Sequence, residues 1–506
     1  MPKNIIICSD GTGNSDIKGR GTNVFKLFES IDLNGHRINS DLPVQLALYD
    51  DGVGTERIKW LAAITGALGW GLGENVRQLY KELARIYDPG DRIFLFGFSR
   101  GAFTVRTLVG MIAKSGILKT ADLPTKDALN DKVEALYKCY RLLSPIWYKK
   151  MFCDHPNPSR LADRHYLKDE EIPFMGIWDT VDAVGLPFSW SNNINDYIYR
   201  FKFKGRTLSD LVKRACHALS IDDQRKSFHP LLWKEKEGGD YPRIKQVWFS
   251  GMHSNVGGGY PKQGMSLVPL AWIMSEAKVA GLRIIESDDV YYREHANVDD
   301  TLYDSRSGFG NLYRWLPRNI EKICKDNNVK PRIHLSVLER ITHGTGDYAP
   351  GNLPPDAEVV ITGDDAVAQR RAKNVEKVFC DRAGGKSLLS EVDCDVQTGI
   401  WACRWYLAFL LALVVLIIKV FGFSFITNLL TGQLGEVWMS IIKVWEMSPW
   451  SLVSLVLCGV GFLVSFYIAQ QAKNRMGKVF SGFWHNTQQA LRTALKKAQK
   501  TDESAR

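Results

Sequence analysis

The sequence contains no C-x-x-C pair, although it has nine cysteines, at positions 8, 139, 153, 216, 324, 380, 394, 403 and 458. Their scatter argues against a zinc ribbon or a thioredoxin-like site. The odd count and wide spacing fit a reducing compartment, with cysteine as a small apolar filler. The opening "MPKNIIICSDG" has too short an apolar run for a signal peptide, and Asp10 interrupts it. Internal repeats and low-complexity segments are absent too. With 45% hydrophobic and 24% charged residues the composition is globular, and 506 residues leave room for a large core.

Positive charge is in excess, at +10, but it is not spread as a nucleic-acid surface would require. Lys473, Arg475, Lys478, Arg492, Lys496, Lys497, Lys500 and Arg506 face only Asp502 and Glu503 in the last 36 residues, so six of the ten net charges lie there. A basic cluster just after an apolar segment reads as charge at a membrane surface, and no nucleic-acid partner is expected.

Two apolar runs precede that cluster. Trp405 to Ile426 is interrupted only by Lys419, and Trp450 to Ala469 has no charge. Each is long enough to cross about 30 Å of hydrocarbon. Arg404 flanks one outer end and Lys473, Arg475 and Lys478 the other, which predicts a multi-pass hairpin in a bacterial inner membrane with both termini cytoplasmic. Beyond it, Phe480, Phe483, Trp484, Leu491 and Leu495 share a helical face among basic residues, a pattern suited to lying on an anionic surface.

The first 280 residues alternate apolar runs with helical periodicity. Strands are expected at 4–8, 43–49, 92–98, 172–179 and 243–253, and helices at 23–31, 74–87, 100–112 and 266–281. This is an α/β fold with a largely parallel sheet flanked by helices. The expected organisation is a catalytic unit over 1–360, a linker over 361–403, the transmembrane hairpin over 404–470 and a basic amphipathic tail over 471–506.

Within the third strand, "LFGFSRGAFTVR" carries Gly97, Ser99 and Gly101 in the G-x-S-x-G spacing of a nucleophile elbow. A strand enters Ser99 and a helix leaves it, which separates this match from a chance one. A serine hydroxyl needs a base, and the base needs an acid. His253 ends the strand of "QVWFSGMH" and Asp179 ends that of "FMGIWD", both at strand C-termini, where open α/β sheets put their chemistry. His217, read as helical, is the nearest rival base. Asp182, Asp222 and Asp223 compete as the acid. The first strand's "CSDGTGN" turn, with Asp10, Gly11 and Thr12, is expected to join the Arg100 N–H in binding substrate and oxyanion; phosphate binding is the rival reading of that turn, though neither G-x-G-x-x-G nor a Walker Lys-Ser/Thr follows. Asp10, Asp50 and Asp51 read as turn-bonding rather than as a metal site, so no metal is expected. "WLAAITGALGWGLG" (60–73) reads as a flap or acyl-chain contact, or equally as a packed loop.

Six blocks in order carry a resemblance: "CSDGTGN", "YDDGVGT", "LFGFSRGAFTVR", "GIWDTVDAVG", "HALSIDDQR" and "VWFSGMHSNVGGGY". Over about residues 1–350 the chain resembles a bacterial α/β-hydrolase family formerly labelled a domain of unknown function, described now as the catalytic domain of type VI secretion phospholipase effectors. The resemblance implies Ser99 as nucleophile, His253 as base, Asp179 as acid, glycerophospholipid esters as substrate and no organic cofactor. It also raises an immunity or secretion partner, besides the phospholipid membrane as substrate and anchor. The alternatives are an inactive membrane-anchored binding module on the same fold, and a thioesterase.

Overall fold

Strand β1, Asn4–Ser9, is buried along its whole length, as a strand covered on both faces must be. This explains why the strands read as continuous apolar runs rather than alternating ones. The computed structural model describes residues 2–11, 21–52, 72–120, 125–142, 164–167, 172–181, 207–307, 313, 315–363, 365–383, 387–421 and 449–503, with a few single positions between 435 and 442.

After β1 come α1 (Asn23–Glu29), β2 (Gln45–Asp50), α2 (Leu72–Ile86), β3 (Arg92–Phe98), α3 (Arg100–Ser115), α4 (Lys126–Leu142) and β4 (Ile172–Trp178). The chain continues through β5 (Val212–Ser220), β6 (Ile244–Phe249), α5 (His253–Gly257), α6 (Gly264–Val279), β7 (Arg332–His334), α7 (Leu335–His343) and β8 (Glu358–Val360). The eight strands form one sheet in the order β8-β7-β6-β5-β4-β3-β1-β2, and every pair runs parallel. Helices α2, α3 and α4 cover one face over a core containing Ile5, Leu83, Leu95 and Val105. Helices α1 and α6 cover the other over Ile6, Phe94, Phe174 and Trp272.

From β1 the chain steps one way to β2 and the other way to β3. The C-terminal ends of β1 and β3 therefore flank the point where the order reverses, the crevice open α/β sheets use for ligands.

The stretch read as a linker, 361–403, contains helix. Helix α8, Ala366–Ala383, buries Val375 and Phe379 in a third core with α7 residues Leu338 and Ile341. Two long helices follow, α9 (Asp393–Phe421) and α10 (Pro449–Glu503). They pack on each other, with Tyr406 edge-on to Phe462 and Phe466. Both are long and apolar enough to cross a membrane, and Leu411, Val415, Val456, Leu457 and Leu463 point outward. The 60–73 stretch lies outside the described residues, apart from Leu72 and Gly73 at the start of α2.

Helix α10 runs unbroken from its apolar part into the basic tail, and there the structure corrects the expected surface-lying helix. Trp484, Leu491 and Leu495 are buried in the third core, and Phe480 and Phe483 pack beside them. Trp484 stacks on Phe379 at 5.7 Å and its indole N–H donates to the Pro350 carbonyl at 2.7 Å. The apolar face is therefore spent on protein rather than lipid. Trp484→Ala is expected to cost about 3–5 kcal/mol, the range for emptying a buried tryptophan site. Thermal unfolding of the full chain should show a midpoint lower by several degrees.

Candidate active site

Ser99 sits between β3 and α3 with φ 58° and ψ −119°, a conformation that side chains other than glycine rarely adopt. The two glycines of its motif make the bend possible. A Cβ on Gly97 would meet the Ala102 backbone at 2.7 Å, and one on Gly101 would run into the Ser9 carbonyl oxygen. Helix α3 thus presses directly on the end of β1, leaving the serine at the tip.

His253 is the first residue of α5, just beyond β6. Its Nε2 lies 2.8 Å from Ser99 Oγ and its Nδ1 lies 2.6 Å from Asp179 Oδ2. Asp179 follows β4 directly, with φ 36°. Three strand ends, β3, β4 and β6, therefore bring together the serine, carboxylate and imidazole singled out from sequence. The imidazole is clamped between Phe98, at 4.7 Å between ring centres, and the edge of Phe228, at 5.0 Å.

Residues 3–276, over half of the chain, match the family described as the type VI secretion Tle1-like phospholipase effector catalytic domain. The chain belongs to that family. An uncharacterized Saccharomyces cerevisiae protein, YEL023C, is 28% identical over 253 residues, covering 46% of this chain and 33% of its own length. An uncharacterized Pseudomonas aeruginosa protein of known structure is 19% identical with a TM-score of 0.32, over 76% of this chain and 59% of its own. The Tle1 effector bound to the VgrG spike of the type VI secretion system is 17% identical with a TM-score of 0.28, over 52% of each chain. The chain spans about a third of the yeast relative's length and little more than half of either solved chain.

In this Tle1-like chain Asp179 has a partner that sequence reading missed. The Arg318 guanidinium, fully buried, donates to both carboxylate oxygens, at 2.7 and 2.8 Å. Ser220 adds its backbone N–H at 3.0 Å and its hydroxyl at 3.2 Å. Burial alone would raise the Asp179 pKa; the Arg318 charge and the bonds from His253 and Arg318 outweigh it and hold the carboxyl far below the usual range. An ionised Asp179 fixes the proton of His253 on Nδ1 and turns the Nε2 lone pair toward Ser99. For His253 itself burial dominates over the pull of Asp179, and its pKa is lowered.

The rivals among the described residues have partners of their own. His217 belongs to strand β5 rather than to a helix; it is fully buried and accepts from the Thr180 N–H at 3.1 Å. Burial lowers its pKa to about 3. Asp222 accepts from Gly251 N–H and Tyr348 hydroxyl, at 2.6 and 2.8 Å. Asp223 pairs with Arg225 at 2.6 Å. Asp182 lies outside the described residues.

At the end of β1, the buried Asp10 carboxylate accepts from Tyr49 hydroxyl at 2.8 Å, from Thr22 hydroxyl, and from Gly11 N–H at 2.6 Å. The Gly11 amide thus donates to its own turn, and Thr12 lies outside the described residues. Asp50 accepts from Ser9 hydroxyl at 2.8 Å and from Asn75. The Arg100 backbone N–H stands in the first turn of α3, where helical amides have no partner within the helix.

Proposed function

We propose that this chain is a membrane-anchored serine esterase, a phospholipase that cleaves acyl esters of glycerophospholipids. The observation that carries the reading is the hydrogen-bonded run from Ser99 Oγ through His253 to Asp179, over 2.8 and 2.6 Å. Ser99 attacks the ester carbonyl carbon as His253 Nε2 takes the hydroxyl proton. The oxygen that gains negative charge is stabilised by the Arg100 N–H at the positive end of α3. His253 returns the proton to the leaving alcohol, and water then releases the fatty acid by the same exchange in reverse. Asp179 stays ionised throughout and stabilises the transient imidazolium.

Helices α9 and α10 support the anchoring, and Arg404 and Lys473, flanking the outer ends of their apolar runs, support a topology with both termini cytoplasmic. Tethering raises the effective concentration of enzyme at its substrate surface. The phospholipid bilayer is then both anchor and substrate. Incubating the purified full chain with mixed phospholipid vesicles should release free fatty acid. Release from acyl thioesters alone would move the assignment to a thioesterase, and no release from either would favour a binding module.

A pH dependence follows from the imidazole. Activity needs neutral His253, so it is present above the His253 pKa and lost as pH falls through it. Burial depresses that pKa, so the acid limb of kcat/KM for a soluble ester should lie below the ordinary histidine value of about 6.5. An acid limb clearly above neutrality would contradict the proposed base.

A further inference from the structure

At the polar end of α9 a pocket of about 90 Å³ opens between this helix and the segments that border the imidazole. Lys226, Trp315 and Leu316 form one wall, and Gln397, Ile400 and Arg404 the other. Residues 397, 400 and 404 are spaced to share one side of the helix. The apolar run of α9 begins at the next residue, Trp405.

The surroundings have the chemistry of a bilayer surface. Trp401 and Trp405 are more than half exposed, at 56% and 55%, as interfacial indoles are. The Arg404 guanidinium lies 4.8 Å from the Trp401 ring centre, and the Lys473 ammonium of α10 lies 5.6 Å from that of Trp315. Three cations, Lys226, Arg404 and Lys473, therefore gather around Trp315 where the apolar span begins. The nearby acid Asp395 is paired with Arg475 at 2.7 Å.

The same pocket touches the site's supports. Trp315 bridges the Arg225 backbone and donates its indole N–H to Gln224 at 2.9 Å. Arg225 lies 3.5 Å over the Phe228 ring, whose edge meets His253.

We propose that this pocket binds the phosphate of an anionic phospholipid, with Lys226 and Arg404 as its donors and the acyl chains lying along α9. A guanidinium fork and an ammonium match phosphate oxygens, and the apolar helix surface below Ile400 receives what a free phosphate does not have. The proposal rests on the membrane reading of α9 and α10, and not on ester cleavage.

The test uses the full-length Ser99→Ala protein, which cannot consume its ligand, in nanodiscs of equal phosphatidylglycerol and phosphatidylcholine. Lipid retained after detergent release is read by native mass spectrometry. Phosphatidylglycerol should be retained about tenfold over phosphatidylcholine, the scale of one charge-assisted hydrogen bond, and Lys226→Gln/Arg404→Gln should abolish that preference. Arg404→Lys should keep part of it, which separates lost charge from lost folding. Equal retention of both lipids, or a preference unchanged in the double variant, would overturn the proposal. Displacement of the lipid by soluble glycerol phosphate would overturn the bilayer as the source. Recovery of the chain without detergent would overturn the membrane reading and this pocket with it. Retained phosphatidylglycerol in a protein whose wild type releases no fatty acid would overturn the esterase alone.

Discussion

Replacing Ser99 by alanine is expected to lower kcat for ester hydrolysis by on the order of 10⁶-fold and to abolish labelling by a fluorophosphonate probe. The size follows from the cooperation of the three groups: without the hydroxyl, His253 and Asp179 have no proton to move. Ser99→Gly should be equally inactive but more stable. A non-glycine residue at φ 58° carries strain of about 1–3 kcal/mol, which glycine relieves. An inactive variant that melts above the wild type is a signature that a purely structural serine would not give. Undiminished labelling of Ser99→Ala would remove the nucleophile assignment.

Arg318→Gln is the second large effect. Arg318 touches no reacting atom; it is a positioning residue that acts through Asp179. Removing it leaves a fully buried carboxylate without its counter-ion, a loss of about 3–5 kcal/mol for such pairs. The variant's remaining activity should fall steeply, and its acid limb should move to higher pH, because Asp179 is no longer held ionised across the range in which His253 works. Arg318→Lys restores the charge but not the two-pronged contact, so it should recover part of the rate. Unfolding curves separate the stability loss from the kinetic one. A folded Arg318→Gln protein with the wild-type rate and pH profile would deny Arg318 this part.

How much of this was legible before the structure depends on how local each constraint is. Gly97 and Gly101 flank Ser99 within five residues, and the packing that demands them, against Ala102 and the end of β1, follows from the strand-to-helix bend itself. Asp179 and His253 were readable because each closely follows an apolar strand. Choosing Asp179 over Asp222 or Asp223 required knowing what else each carboxylate bonds. Arg318 gave no signal: "WLPRN" has no periodicity, and its partner lies 139 residues away. The basic tail failed differently. Its sequence pattern correctly gives an apolar face around Trp484, but a face does not say what covers it, and the cover comes from α7 and α8. The reading of His217 as helical failed because a short polar-apolar mixture fits both periods.

Helix α10 has one further consequence. From Ala469, where the apolar run ends, to Trp484, locked into the third core, the helix continues for fifteen residues, about 22 Å. A strut of that kind has no slack. If the apolar part sits in a bilayer as proposed, the strut fixes the altitude of Ser99, and an ester held in the leaflet would have to climb out to meet it.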